Sequence, residues 1–153
     1  MENVWPKAIQ AYKLIFGSEP DLSNFDNRLM LQKTIYMAKL LNVDFGDIGF
    51  TWYNRGPYSF EIAGIYSKGA HMPHGLKEKE IQAINSNRGK LLELLSTPSN
   101  AELYASVAFL LFEETLPENE VVRKMDLIKP WFTKKQVEDA IKKIGLKQIF
   151  NST

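Results

Sequence analysis

A chain of 153 residues that is 44% hydrophobic, 24% charged and 12% aromatic has the totals of one folded globular domain, which excludes a disordered tract or a membrane bundle. The absence of cysteine excludes disulfides and thiolate chemistry and is compatible with the cytoplasm, where the chain is expected to work. A net charge of +1 excludes a uniformly basic or acidic polyelectrolyte.

The opening residues Trp5, Ala8, Ile9, Tyr12, Ile15 and Phe16 recur at helical spacing, with Pro6 tolerated in the first turn and Gly17 as a stop. Met1 is followed by an acidic residue and a Trp-Pro pair, so no secretory leader is expected. After a polar loop, Ser23 followed by Asp26 resembles a capped helix start. From Asn24 to about Leu41 the apolar residues Phe25, Leu29, Leu31, Ile35, Tyr36, Ala38, Leu40 and Leu41 occupy more than half the circumference, which predicts a central helix. Gln32 and Lys33 stand in its middle among apolar neighbours.

Residues 50–59 read Phe-Thr-Trp-Tyr-Asn-Arg-Gly-Pro-Tyr-Ser, an aromatic strand running into a Gly-Pro turn and a helix started by Ser59. Phe50 and Trp52 point to one side of the strand and Thr51 and Tyr53 to the other. One strand cannot stand alone, so a small hairpin or pairing with 146–150 is expected. The helix from Ser59 to about Tyr66 should turn Ile62, Ile65 and Tyr66 inward. The Gly- and Pro-containing loop 67–75 follows, and its His71 and His74 lack the further ligands that a metal site needs.

The spacing then predicts a helix over 76–95, in which Gly89 marks a close contact or a break. Ser99 or Asn100 can cap a deeply buried helix to about Glu114. Its apolar run, 107–112, is far short of the ~20 residues of a bilayer span, so no membrane segment is expected. A helix over 118–128 ends before Pro130, and Thr133 caps a last one over 134–144. The expected fold is mainly α: a compact single domain over 1–153, with six or seven helices and one or two short strands at the aromatic Gly-Pro corner.

Charge is uneven along the chain. Basic and acidic groups number six and six over 1–59, six and nine over 60–123, and seven and three over 124–153. Lys134, Lys135, Lys142, Lys143 and Lys147 could therefore hold phosphates, or could simply face solvent from a terminal helix. Near the corner, Arg55 suits a carboxylate or phosphate by bidentate geometry, whereas solvation or pairing of Lys33 and Arg55 with Asp26 or Glu61 would be structural. Amphipathic helices at both ends could serve a homodimer or the domain's own core. None of the nucleophile-elbow, zinc-protease, phosphate-loop or dinucleotide motifs is present, which leaves no recognisable enzyme class and no expected cofactor.

The blocks Leu31-Gln32-Lys33-x-x-Tyr36-x-Ala38, Phe50-x-Trp52-Tyr53-x-x-Gly56-Pro57-Tyr58-Ser59 and Leu127-Ile128-Lys129-Pro130-x-Phe132-Thr133 with Ala140 resemble the YwgA-like family of small bacterial and archaeal proteins, over most of 24–144. The first two also resemble the Panacea domain of SocA-type antitoxins. The resemblance implies a helical domain with a strand at the corner, no enzymatic activity, and a protein partner such as a toxin or phage-defence component. Aromatics expected to be exposed beside a fixed turn, together with the near-zero net charge, make Gln32, Lys33, Tyr53, Asn54, Arg55 and Tyr58 the expected partner-binding group. YwgA-like proteins have also been likened to winged-helix regulators, for which the C-terminal lysines would be the DNA-binding face.

Overall fold

The computed structural model describes residues 4–46, 48–53, 55–64 and 75–145, without the side chains of Val4, Trp5, Pro6 and Tyr53. In chain order the elements are α1 (Val4–Phe16), α2 (Phe25–Lys39), β1 (Thr51–Tyr53), β2 (Gly56–Tyr58), α3 (Phe60–Ala63), α4 (Glu78–Ser86), α5 (Arg88–Leu94), α6 (Pro98–Ala108) continued by a π-helical turn (Phe109–Glu113), α7 (Glu118–Ile128) and α8 (Lys134–Gly145). The mainly α fold with a two-stranded sheet is the one its periodicities predict.

The central element is α2. Every residue from Leu29 to Ala38 is buried, because α1, α3, α6 and β2 all pack around it. Its cap is Asn24, not Ser23: the Asn24 side chain accepts from the Asn27 amide at 3.1 Å, while the Ser23 hydroxyl and amide both go to the Asp21 carboxylate.

The predicted 76–95 helix is two helices. The break lies at Asn87, whose backbone leaves the helical region and whose side chain donates to the Ala83 carbonyl at 2.8 Å. Gly89 is neither the break nor a close contact, since a Cβ there would meet nothing within 4 Å. The new direction carries Arg88 to the carbonyls of Leu14 and Ile15 at the end of α1, where a cation is favoured. Glu80 of α4 lies by the start of α1, accepting from Lys7 and from the amides of Asp44 and Lys77.

Thr97 caps α6 through the Asn100 amide, and Pro98 fills the first helical position. Asn100 is therefore capped, not capping. The helix packs on α2 and α8 and then widens into the π turn, which sets Phe109 beside Tyr36 and Trp52. Thr133 caps α8 as expected: its hydroxyl accepts from the Gln136 amide, and the Gln136 side chain accepts from the Thr133 amide.

The aromatic strand pairs with β2 as an antiparallel hairpin in register Thr51 to Tyr58, Trp52 to Pro57 and Tyr53 to Gly56. The suggested partner segment 146–150 lies outside the described residues, as do Ile65 and Tyr66.

Candidate functional site

The hairpin rests on a layer of buried polar side chains. From the middle of α2, the Gln32 amide nitrogen donates to the Ser59 carbonyl at 2.9 Å, and its oxygen accepts from the Ser59 amide at 2.8 Å. The next residue, Lys33, donates to the Pro57 carbonyl at 2.9 Å. Adjacent helix positions thus clamp both ends of Pro57-Tyr58-Ser59. Ser59 in turn caps α3 through the Ile62 amide, as its position after the turn predicts.

Gly56 closes this contact from the strand side. Its φ is +102°, and a Cβ there would lie 2.5 Å from the Ser106 hydroxyl oxygen and 3.7 Å from Lys33 Cε. Gly56 and Pro57 thus lie in β2 and not in the expected Gly-Pro turn, and Gly56 serves both a left-handed backbone and a close approach to α6. The Ser106 hydroxyl is buried with no hydrogen-bond partner among the described residues.

Beside Lys33, the α6 carboxylate Glu102 receives Lys129 at 2.9 Å on one oxygen and the Arg55 guanidinium at 3.7 Å on the other. Glu102 and Lys129 are buried, whereas the Arg55 side chain is 53% exposed. Burial above all pulls the Lys33 ammonium down to about 7; Glu102 opposes that shift, and the Lys129 and Arg55 cations reinforce it. Desolvation first, and then the Glu113 carboxylate, push the buried Tyr36 phenol up.

Two of the three tryptophans, Trp52 and Trp131, complete the arrangement. The Lys129 ammonium lies 5.2 Å from the Trp52 ring and 5.4 Å from the Trp131 ring, on the segment linking α7 to α8. On the other side of the hairpin, Arg55 lies over Phe25 at 5.6 Å. Phe25, Arg55, Glu102, Lys129 and Trp131 therefore form one connected row. Phe25, Arg55 and Trp131 are exposed, as are Leu127 and Ile128 at the end of α7. Around α3, the half-buried Tyr58 meets the exposed Phe60 edge-on at 5.1 Å.

Of the residues expected to touch a partner, Gln32 and Lys33 lie beneath the corner, each 1% exposed, because both are spent on its backbone. Arg55 and Tyr58 are on or near the surface. Asn54 and the Tyr53 side chain lie outside the described residues. Of the structural alternatives, solvation holds for Arg55 and fails for Lys33, which is buried on the Pro57 carbonyl, and the carboxylate beside Arg55 is Glu102 in place of Asp26 or Glu61. Glu61 instead accepts from the Ser59 hydroxyl and the Gly49 amide.

Sequence reasoning missed Phe25, Glu102, Lys129 and Trp131 as members of this group. The signal for Glu102 was present: it is a charge on the face of α6 that also carries Ser106 and Phe109, four and seven residues on. Trp131, two residues on, does not by itself mark Lys129, since the other partners of its ammonium, Trp52 and Glu102, are distant in the chain.

The C-terminal lysines form no uniform stripe. Lys135 pairs with Asp139 at 3.3 Å, and Lys143 pairs with Glu93 while lying 5.7 Å from the Tyr104 ring. Lys135 and Lys142 line a groove of about 640 Å³ between α7 and α8 together with Glu118, Glu138 and Asp139. Lys134 is exposed, and Lys147 lies outside the described residues, as do His71 and His74. Among the described residues there is no cluster of three metal-ligating side chains, and no helix is long and apolar enough to cross a membrane.

No protein-family model, curated protein or solved structure matches this chain.

Proposed function

We propose that the chain is a non-enzymatic protein-interaction module of the cytoplasm, and that it meets its partner through the outer side of the hairpin and the adjoining α7–α8 link. One observation carries this reading: exposed Phe25, Arg55 and Trp131 surround a hairpin that Gln32 and Lys33 hold rigid from below. A preorganised support lowers the ordering cost of association, and aromatic and arginine side chains dominate binding energy at interfaces. The resemblance to YwgA-like and Panacea sequences makes a toxin or a defence component the first class of partner to seek.

The alternative of a winged-helix-like DNA binder draws less support. Phosphate tracking needs unneutralised cations along one face, and Lys135 and Lys143 already face carboxylates.

The test is capture of partners by the tagged chain from native lysate, with one arm treated with nuclease and with Arg55→Glu in parallel. The proposal expects a protein that survives nuclease and is lost with the variant. Recovery of nucleic acid alone would overturn it in favour of the DNA-binding reading.

A further inference from the structure

The row of residues around Arg55 also specifies the chemistry of a partner. Among the described residues, Lys33, Lys129 and Arg55 converge on one carboxylate, Glu102. Lys129 takes one Glu102 oxygen at 2.9 Å, while Arg55 stands off the other at 3.7 Å, beyond a good hydrogen bond. Arg55 is the member of this group that reaches solvent, so its guanidinium presents most of its donor fork outward. The group is cationic, and its one exposed charge is a cation with geometry suited to a second carboxylate.

What flanks that cation at the surface is aromatic. Phe25 lies under the guanidinium on one side, and on the other Glu102 and Lys129 lead to the Trp131 ring, 58% exposed. Aromatic neighbours suit a peptide side chain and give no further charge for a phosphodiester backbone, which needs successive cations. Charge complementarity and this apolar rim together favour one occupant.

We infer that the surface formed by Phe25, Arg55 and Trp131 docks a short acidic segment of a partner protein, with an Asp or Glu carboxylate on Arg55 and an apolar side chain of the same segment against Trp131. This inference rests on the interaction-module reading and adds the class of ligand to it.

The test pans the full chain against a phage-displayed library of random peptides and measures binding of the enriched sequences as synthetic peptides. The inference expects sequences that pair an acidic residue with an aromatic or aliphatic one a few positions away. Arg55→Glu and Trp131→Ala should each weaken them by about tenfold or more, the cost of losing an interface anchor. Replacing the peptide's acidic residue by Lys should restore binding to Arg55→Glu. Thermal melts accompany both variants, and Trp131→Ala, which removes an exposed ring, carries the test should Arg55→Glu fail to fold.

Enriched peptides with no acidic residue but with sensitivity to Trp131→Ala would overturn the acidic-ligand inference and leave the interaction module standing. Tighter, Arg55-dependent binding of a single-stranded oligonucleotide run alongside would overturn it in favour of phosphate. No enrichment, or binding indifferent to both variants, would overturn the inference; the interaction module would still be judged by capture from lysate.

Discussion

Gln32 bonds both backbone polar groups of Ser59, donating to its carbonyl at 2.9 Å and accepting from its amide at 2.8 Å. A side-chain amide here does what a neighbouring strand would do. The hairpin has only two strands, so the backbone beyond Tyr58 depends on this substitute.

Gln32→Leu should leave the Ser59 amide buried without its Gln32 acceptor, while the Ser59 carbonyl keeps the Ala63 amide at 3.0 Å. The expected loss is about 1–3 kcal/mol, the cost of one buried unsatisfied group. Urea denaturation measures it, and an unchanged midpoint would show that the clamp does not hold the corner.

Lys33 predicts a pH dependence. Its pKa is lowered on folding to about 7, so between about 7 and its ordinary 10.5 the unfolded chain binds more protons than the folded one. Stability should therefore rise with pH through that window, by at most ~1.4 kcal/mol per pH unit from this one group. Below the window Lys33 is protonated in both states and the slope disappears. Denaturation at pH 6.5, 7.5, 8.5 and 9.5 should show the rise in wild type and a flatter profile in Lys33→Met, which retains the volume and removes the charge.

Glu102 and Lys129 predict a non-additive pair. Both are buried and joined at 2.9 Å, so Glu102→Leu, which takes the shared carboxylate from Lys129, should cost about 3–5 kcal/mol, and Lys129→Met, which leaves Glu102 with Arg55 at 3.7 Å, should cost less. The double variant should cost less than the sum of the two. A double-mutant cycle by chemical denaturation gives the coupling, and strictly additive losses would contradict the pairing.

Gly56→Ala should destabilise by roughly 1–3 kcal/mol, since φ is +102° and the new methyl group would meet the Ser106 hydroxyl. Ser106→Ala removes a buried hydroxyl with no described partner and should be tolerated. Combined with Gly56→Ala it should recover the steric part of the loss and leave the backbone part. Thermal melts of the three variants separate the two.

Much of the fold was legible because its signals are local. Helical periodicity located α1, α2, α7 and α8, and Ser59 and Thr133 announced their caps, whereas Gly56-Pro57, expected as the turn, begins the second strand. Misreadings arose where several residues competed for one local role, as Ser23 with Asn24, Ser99 and Asn100 with Thr97, and Gly89 with Asn87. There the winner is set by tertiary contacts, such as Arg88 reaching the end of α1. The site was half legible. Gln32 and Lys33 stood out as polar residues in an apolar helix, but periodicity does not say whether such residues face a partner or the chain's own backbone. Glu102 and Lys129 are 27 residues apart, and no spacing rule connects them.

The most direct test of the proposed contact face is photo-crosslinking in native cells with p-benzoylphenylalanine placed at position 131 and, separately, at position 142. The interaction surface predicts a discrete protein adduct at 131 that is lost with Arg55→Glu, and none at 142. Adducts confined to 142, or nucleic acid trapped there with nothing at 131, would contradict it.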